Sequence, residues 1–156
     1  MVFLAGCALA TKGRKQQVSI TSVPLGATVI VDGVPAGQTP LITHLPRKTS
    51  HRVELHKDGF TPASLLVRAQ PNEFARRTVR WGIDIDLGAT NDLTPPAVNL
   101  DLVPVPLAAT TYGDAYERMV YAVLAADTLR ESGSISDTDH HYMIEKIIAR
   151  YAGNAR

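Results

Sequence analysis

Gly26-Ala27-Thr28-Val29-Ile30-Val31-Asp32-Gly33, followed by Gly37-Gln38-Thr39-Pro40, decides the fold of this chain. Ala27 to Val31 is a β-branched run, which favours extended backbone because branching at Cβ restricts χ1 and packs well on a pleated surface. Asp32-Gly33 tolerates positive φ at little cost, so the strand is expected to end there in a tight turn. Working outward, Val18, Ile20 and Ser22 alternate with Ser19 and Thr21, and Pro24-Leu25-Gly26 turns the chain. Residues 18–22 and 27–31 are therefore expected as two antiparallel strands. Gly37 and Pro40 punctuate a longer connection. From Ser50 to His56 the alternation places Val53 and Leu55 on one face and Arg52, Glu54 and His56 on the other, before a second turn at Lys57-Asp58-Gly59-Phe60. A further strand is expected through Leu65, Leu66 and Val67.

The order and spacing of Ser22-Val23-Pro24-Leu25-Gly26-Ala27, Val31-Asp32-Gly33, Gly37-Gln38-Thr39-Pro40 and Asp58-Gly59-Phe60 resemble the PEGA domain, a small β-sandwich module named for its Pro-Glu-Gly-Ala turn. Leu25 stands where the name has Glu, at a solvent-facing turn position that takes either. The resemblance covers residues 18–67. It implies a non-catalytic module of bacterial and archaeal cell-envelope proteins and leaves the ligand undefined. The expected fold class is mainly β with C-terminal α, a small PEGA-like β-sandwich plus a helical hairpin.

The chain has 156 residues, 45% of them hydrophobic and 20% charged, enough for one folded domain with a small appendage. Sixteen basic residues against fifteen acidic ones leave a net charge of +1, so no overall field draws it to nucleic acid. Arg76, Arg77 and Arg80 form a local cluster, read as a solvated strand face. No stretch approaches the roughly 18 apolar residues that span a bilayer, so attachment to a membrane requires other means.

Those means are written at the start. Leu4-Ala5-Gly6-Cys7 resembles the lipobox of bacterial lipoproteins, in which small residues before the cysteine admit signal peptidase once the thiol carries diacylglycerol. Residues 1–7 then form a truncated signal and lipobox, Cys7 is the lipidation site, and residues 8–17 form a polar tether. A signal peptide needs an apolar core of roughly 7–15 residues. Six residues precede Cys7, so either the start codon is set too late or the sequence is a fragment. Ala8 after the cysteine resembles lipoproteins sorted to the outer membrane of a Gram-negative host. Cys7 is the only cysteine, so no internal disulfide forms and the fold rests on its core.

Residues 68–106 read as an additional strand region. Gln70-Pro71-Asn72 marks a break, Ile83-Asp84-Ile85-Asp86-Leu87 alternates as a strand, and Val98, Leu100 and Leu102 make a closing strand before Pro104 and Pro106. The segment from Trp81-Gly82-Ile83 to Asn99-Leu100 resembles one that follows the repeat in PEGA lipoproteins. From Thr111 the period changes. Tyr116, Met119, Val120, Val123 and Leu124 recur at helical spacing behind Asp114, and Met143, Ile144, Ile147, Ile148 and Tyr151 do so behind Ser136 or Asp137. Ser132-Gly133-Ser134 joins the two, so residues 111–153 are expected as an antiparallel hairpin. Val120, Val123, Leu124, Ile144, Ile147 and Ile148 are its expected packing face.

Chemistry is harder to find. Asp137, Asp139, His140 and His141 are close in sequence, but neighbouring histidines on a helix point about 100° apart, so no metal site is assigned. Helix-start acids are ordinary capping groups. Asp84 and Asp86 share one strand face, yet a glycosidase pair needs one carboxyl in an apolar pocket, and surface alternation explains both. Gly-x-Ser-x-Gly elbows, phosphate loops and dinucleotide fingerprints are missing from the sequence. His44, His51 and His56 read as surface residues and Trp81 as core. The expectation is a non-enzyme without cofactor or catalytic residues. It is held to a membrane through Cys7 and binds or scaffolds an envelope polysaccharide or protein. The alternative is an accessory lipoprotein subunit of a secretion or transport machine that docks through its C-terminal helices.

Overall fold

The computed structural model describes residues 7–77, 85, 87–109 and 113–152. Two compact units emerge: one holds the chain up to Leu55 together with Ser64–Leu100, the other holds His56–Ala63 and the chain from Asp101 onward. The first unit opens with α1 (Cys7–Lys12) and β1 (Lys15–Val23), so residues 8–17 hold a helix and the start of a strand where a tether was expected. The elements that follow are β2 (Thr28–Val31), β3 (Val34–Gln38), β4 (Leu41–Pro46), β5 (His51–His56), β6 (Ala63–Pro71), α2 (Glu73–Arg77), β7 (Asn91–Thr94) and β8 (Ala97–Asp101).

They form two sheets, of order β4-β1-β8 and β3-β2-β5-β6-β7, and together make a small β-sandwich. β1 and β2 therefore do not pair with each other, a correction to the two-strand reading of residues 18–31. β1 runs antiparallel to β4, from Lys15 opposite Pro46 to Ile20 opposite Leu41, while β2 pairs with β3. Val18, Ile20 and Val29 are all fully buried, as are Val53, Leu55 and Val67. Alternation in the sequence states which face of a strand is buried; it does not name the strand's neighbour. The Asp32-Gly33 turn does close the β2–β3 hairpin, with φ of 52° and 82° at its two residues.

Hydrogen bonds explain why the Pro24 turn and the Gly37-Gln38-Thr39-Pro40 motif occur together. The Ser22 hydroxyl donates to the Pro24 carbonyl at 2.6 Å, so the Thr39 hydroxyl donates its own proton to Ser22 Oγ, also at 2.6 Å. Thr39 Oγ1 then accepts from the Ala27 N–H at 3.0 Å, and the Gly26 N–H donates to the Thr39 carbonyl. Ser22 and Thr39 are 1% and 4% exposed, so each hydroxyl donates its proton and accepts one hydrogen bond where water cannot substitute.

Asn72 ends β6 and begins α2, its Oδ1 accepting from the Phe74 N–H at 3.0 Å. Ile85 is helical and Leu87 lies in a turn, so these described residues of the expected strand 83–87 are not extended. β8 supplies the closing strand expected near Val98.

The second unit contains α3 (Val105–Ala109), α4 (Ala115–Glu131) and α5 (Asp137–Ala152). Asp114 caps α4, its Oδ1 accepting from the Glu117 N–H at 2.8 Å. Ser136 caps α5: its Oγ accepts from the Asp139 N–H and donates to Asp139 Oδ2. The helices join through His140 Nε2, 2.8 Å from Asp127 Oδ1. The turn around Phe60 belongs to this unit, where the Thr61 N–H donates to Val103 O and the Val105 N–H to Gly59 O. Ala122, Ala126, Met143 and Ile147 are fully buried. Val120, Leu124 and Ile148, expected to pack, are instead 36%, 55% and 52% exposed. α4 carries apolar residues around most of its circumference, so periodicity alone did not select the covered face.

Candidate functional site

Cys7 begins α1, and its side chain lies outside the described residues. So do Trp81, Asp84 and Asp86. Arg76 and Arg77 fall in α2, not on a strand face, and their side chains, with Arg80, are likewise outside the described residues.

Two polar clusters occupy the sandwich. His51 is 5% exposed, a correction to its reading as a surface residue. Its Nδ1 lies 2.6 Å from Asp32 Oδ2 and its Nε2 2.8 Å from the Pro46 carbonyl. Both partners accept, so both contacts are hydrogen bonds only when the ring carries both protons. Asp32 Oδ1 accepts from the Arg52 N–H at 2.8 Å. Partial burial alone would raise the Asp32 carboxyl, but hydrogen bonds from His51 and the Arg52 N–H, with the His51 charge, outweigh it and hold the group below its ordinary value.

Arg47, 8% exposed, forms the second cluster. Its Nη1 lies 2.5 Å from Asp92 Oδ1, 2.6 Å from Gln16 Oε1 and 3.1 Å from Asn91 O, and its Nε donates to Lys12 O at 3.2 Å. Gln16 is also held, donating to Leu93 O and accepting from the Leu93 N–H. A cavity of about 360 Å³ lies beside this cluster. The buried guanidinium already has its acceptors in the protein, so the arrangement ties β1, β4 and β7 together and leaves little charge for a ligand.

The second unit differs. A cleft of about 370 Å³ is lined by Leu102, Val103, Pro104, Leu107 and Ala149, with Tyr142, Lys146, Arg150 and Asp101 among its other residues. Tyr142 packs against Phe60, with ring centroids 6.0 Å apart. Lys146 Nζ stands 5.2 Å from the Tyr142 ring centre and 3.7 Å from Asp101 Oδ2. The nearby Tyr142 oxygen first, and Asp101 after it, hold Lys146 above its ordinary value, so it is a cation throughout the neutral range. That approach does not have hydrogen-bond geometry: the Tyr142 hydroxyl is closed to solvent and has no partner among the described residues. Such an orphan costs about 1–3 kcal/mol. Sequence reading missed this site. Tyr142, Lys146 and Arg150 recur at i, i+4 and i+8, a visible signal, but Asp101 to Leu107 reach them only through the fold.

The acids and histidines at the start of α5 do not converge. Asp139 Oδ2 pairs with Lys57 Nζ at 3.1 Å, His140 turns to Asp127, and His141 Nε2 faces Glu145 at 3.4 Å. Among the described residues no group of three metal-ligating side chains comes together, and no helix is long and apolar enough to cross a membrane.

Two sheets joined through turns that buried hydroxyls fix place the first unit in the class of small β-sandwich modules. Residues 15–80 match the PEGA domain. The match starts at the first residue of β1 and passes the Val67 limit expected from the turns. A PEGA domain points to an envelope-related or binding role. No curated protein and no solved structure matches the chain.

Proposed function

We propose that this protein is a non-catalytic binding or scaffolding module of the bacterial cell envelope, anchored through lipid on Cys7, with an envelope polysaccharide or protein as its partner. The observation that carries this reading is the PEGA match over residues 15–80 directly behind Leu4-Ala5-Gly6-Cys7. With a single cysteine in the chain, one thiol is available to carry the anchor. An outer-membrane address follows from Ala8 if the host is Gram-negative. The test is fractionation of the chain behind a complete signal peptide. The native protein is expected in the membrane fraction with incorporated labelled palmitate, and Cys7→Ser in the soluble fraction without label. Unchanged fractionation of Cys7→Ser refutes the anchor.

A second reading is an accessory subunit of a secretion or transport machine. It is favoured by α4, where Tyr116, Tyr121 and Leu124 are 70%, 62% and 55% exposed. Under this reading, Tyr121→Asp with Leu124→Asp leaves the melting curve unchanged and abolishes recovery of envelope proteins by the tagged chain. Recovery equal to the native protein's removes it.

A further inference from the structure

The cleft of the second unit combines an apolar floor with a cationic edge. Val103, Leu107 and Ala149 offer hydrocarbon over the buried Leu102 and Pro104, while Lys146 and Arg150 stand one turn apart on α5. Its volume of about 370 Å³ falls within the range of small-molecule sites. Asp101 Oδ2 lies 3.7 Å from Lys146 Nζ, so the chain itself already places a carboxylate against that ammonium. The pair is open to water, with side-chain exposures of 42% for Lys146 and 70% for Asp101, so an incoming anion displaces a weakly held group.

We propose that this cleft binds a small anionic amphiphile, with a carboxylate head between Lys146 and Arg150 and a short hydrocarbon tail along Val103, Leu107 and Ala149. A bare inorganic anion would leave the apolar floor unused. A divalent cation would meet two cations and a single carboxylate. A sugar would need several directed donors and acceptors, and the Tyr142 hydroxyl is closed to solvent. Arg150 presents a planar fork suited to a carboxylate, and the face of Tyr142 steadies the Lys146 ammonium. The assignment does not depend on the Cys7 anchor, so the failure of one leaves the other standing.

The experiment is titration of the full chain with decanoate, below its micelle concentration, by calorimetry and by amide chemical shifts. Saturable binding that perturbs residues 101–107 and 142–150 is expected. Lys146→Met and Arg150→Met, which keep the apolar stem, should each weaken it at least fivefold. Asp101→Asn, which removes the internal competitor, should tighten it about twofold or more, the direction opposite to a merely structural loss. Decanol, with the tail but no charge, should bind at least tenfold more weakly. Both cations reach solvent, so these variants are expected to keep the parent's circular dichroism and melting curve. Phosphatidylglycerol vesicles that bind the chain and are displaced by decanoate place the amphiphile in a membrane; vesicles that do not bind place it free in solution. No saturable decanoate binding, equal affinity for decanol, or affinity unchanged in both methionine variants overturns the proposal.

Discussion

Gly88→Ala probes how tightly the first unit closes on itself. Gly88 has φ +76°, and a Cβ there would lie 2.5 Å from the Lys48 amide nitrogen and 2.6 Å from its Cα. Gly33 has nearly the same backbone, φ +82°, with nothing within 4 Å of the added carbon. The left-handed conformation costs an L-residue about 1–2 kcal/mol at either position. At Gly88 the clash falls on backbone, which no rotamer change relieves, and overpacking of that kind adds about 1–3 kcal/mol. The expected loss is therefore about 2–5 kcal/mol for Gly88→Ala against about 1–2 kcal/mol for Gly33→Ala. Urea unfolding followed by far-ultraviolet circular dichroism measures both, and the excess at Gly88 isolates the Lys48 contact. Thermal midpoints give a second reading, at about 2–4 °C per kcal/mol for a chain of this size. Equal losses in the two variants would refute the close approach of residue 48 to residue 88.

The lowered Asp32 carboxyl makes the sandwich sensitive to acid. A group whose folded value is depressed contributes stability that is present above its unfolded value and lost as pH falls through the folded one, so the loss is expected below the ordinary carboxyl value of 3.8. Asn tolerates the left-handed backbone of residue 32, so Asp32→Asn should flatten the acid limb of a stability-against-pH curve without breaking the turn; an unchanged limb rejects the His51–Asp32 assignment. In α5, Ile147→Asp buries an unpaired charge at a fully buried position and should cost a few kcal/mol, whereas Ile148→Asp, at 52% exposure, should cost under about 1 kcal/mol. Chemical denaturation of the two variants checks the order, and equal losses would mean the covered face of α5 is wrongly placed.

The sequence alone determined what depends on neighbours along the chain. Period-two burial of Val18, Ile20, Val53 and Leu55, the positive-φ turn at Asp32-Gly33, and the helix starts behind Asp114 and at Ser136 or Asp137, of which Ser136 is the cap, are local matters of side-chain direction, backbone sterics and nearby donors. The PEGA-like turn order was legible for the same reason, since each turn demands its own residues. What the tertiary structure decided is which surfaces meet. β1 and β2 went to different sheets, because burial of one face is satisfied equally by several neighbours. His51 and Arg47 became buried through partners at residues 32 and 92, distances over which sequence pattern carries no signal. Ala122 and Ala126 were covered while Leu124 was left exposed, since an α4 apolar on several sides takes its inward face from its partner. The cleft of the second unit belongs to that category too: Lys146 and Arg150 lie one turn apart on α5 by sequence, and only the fold sets Leu102 to Leu107 beside them.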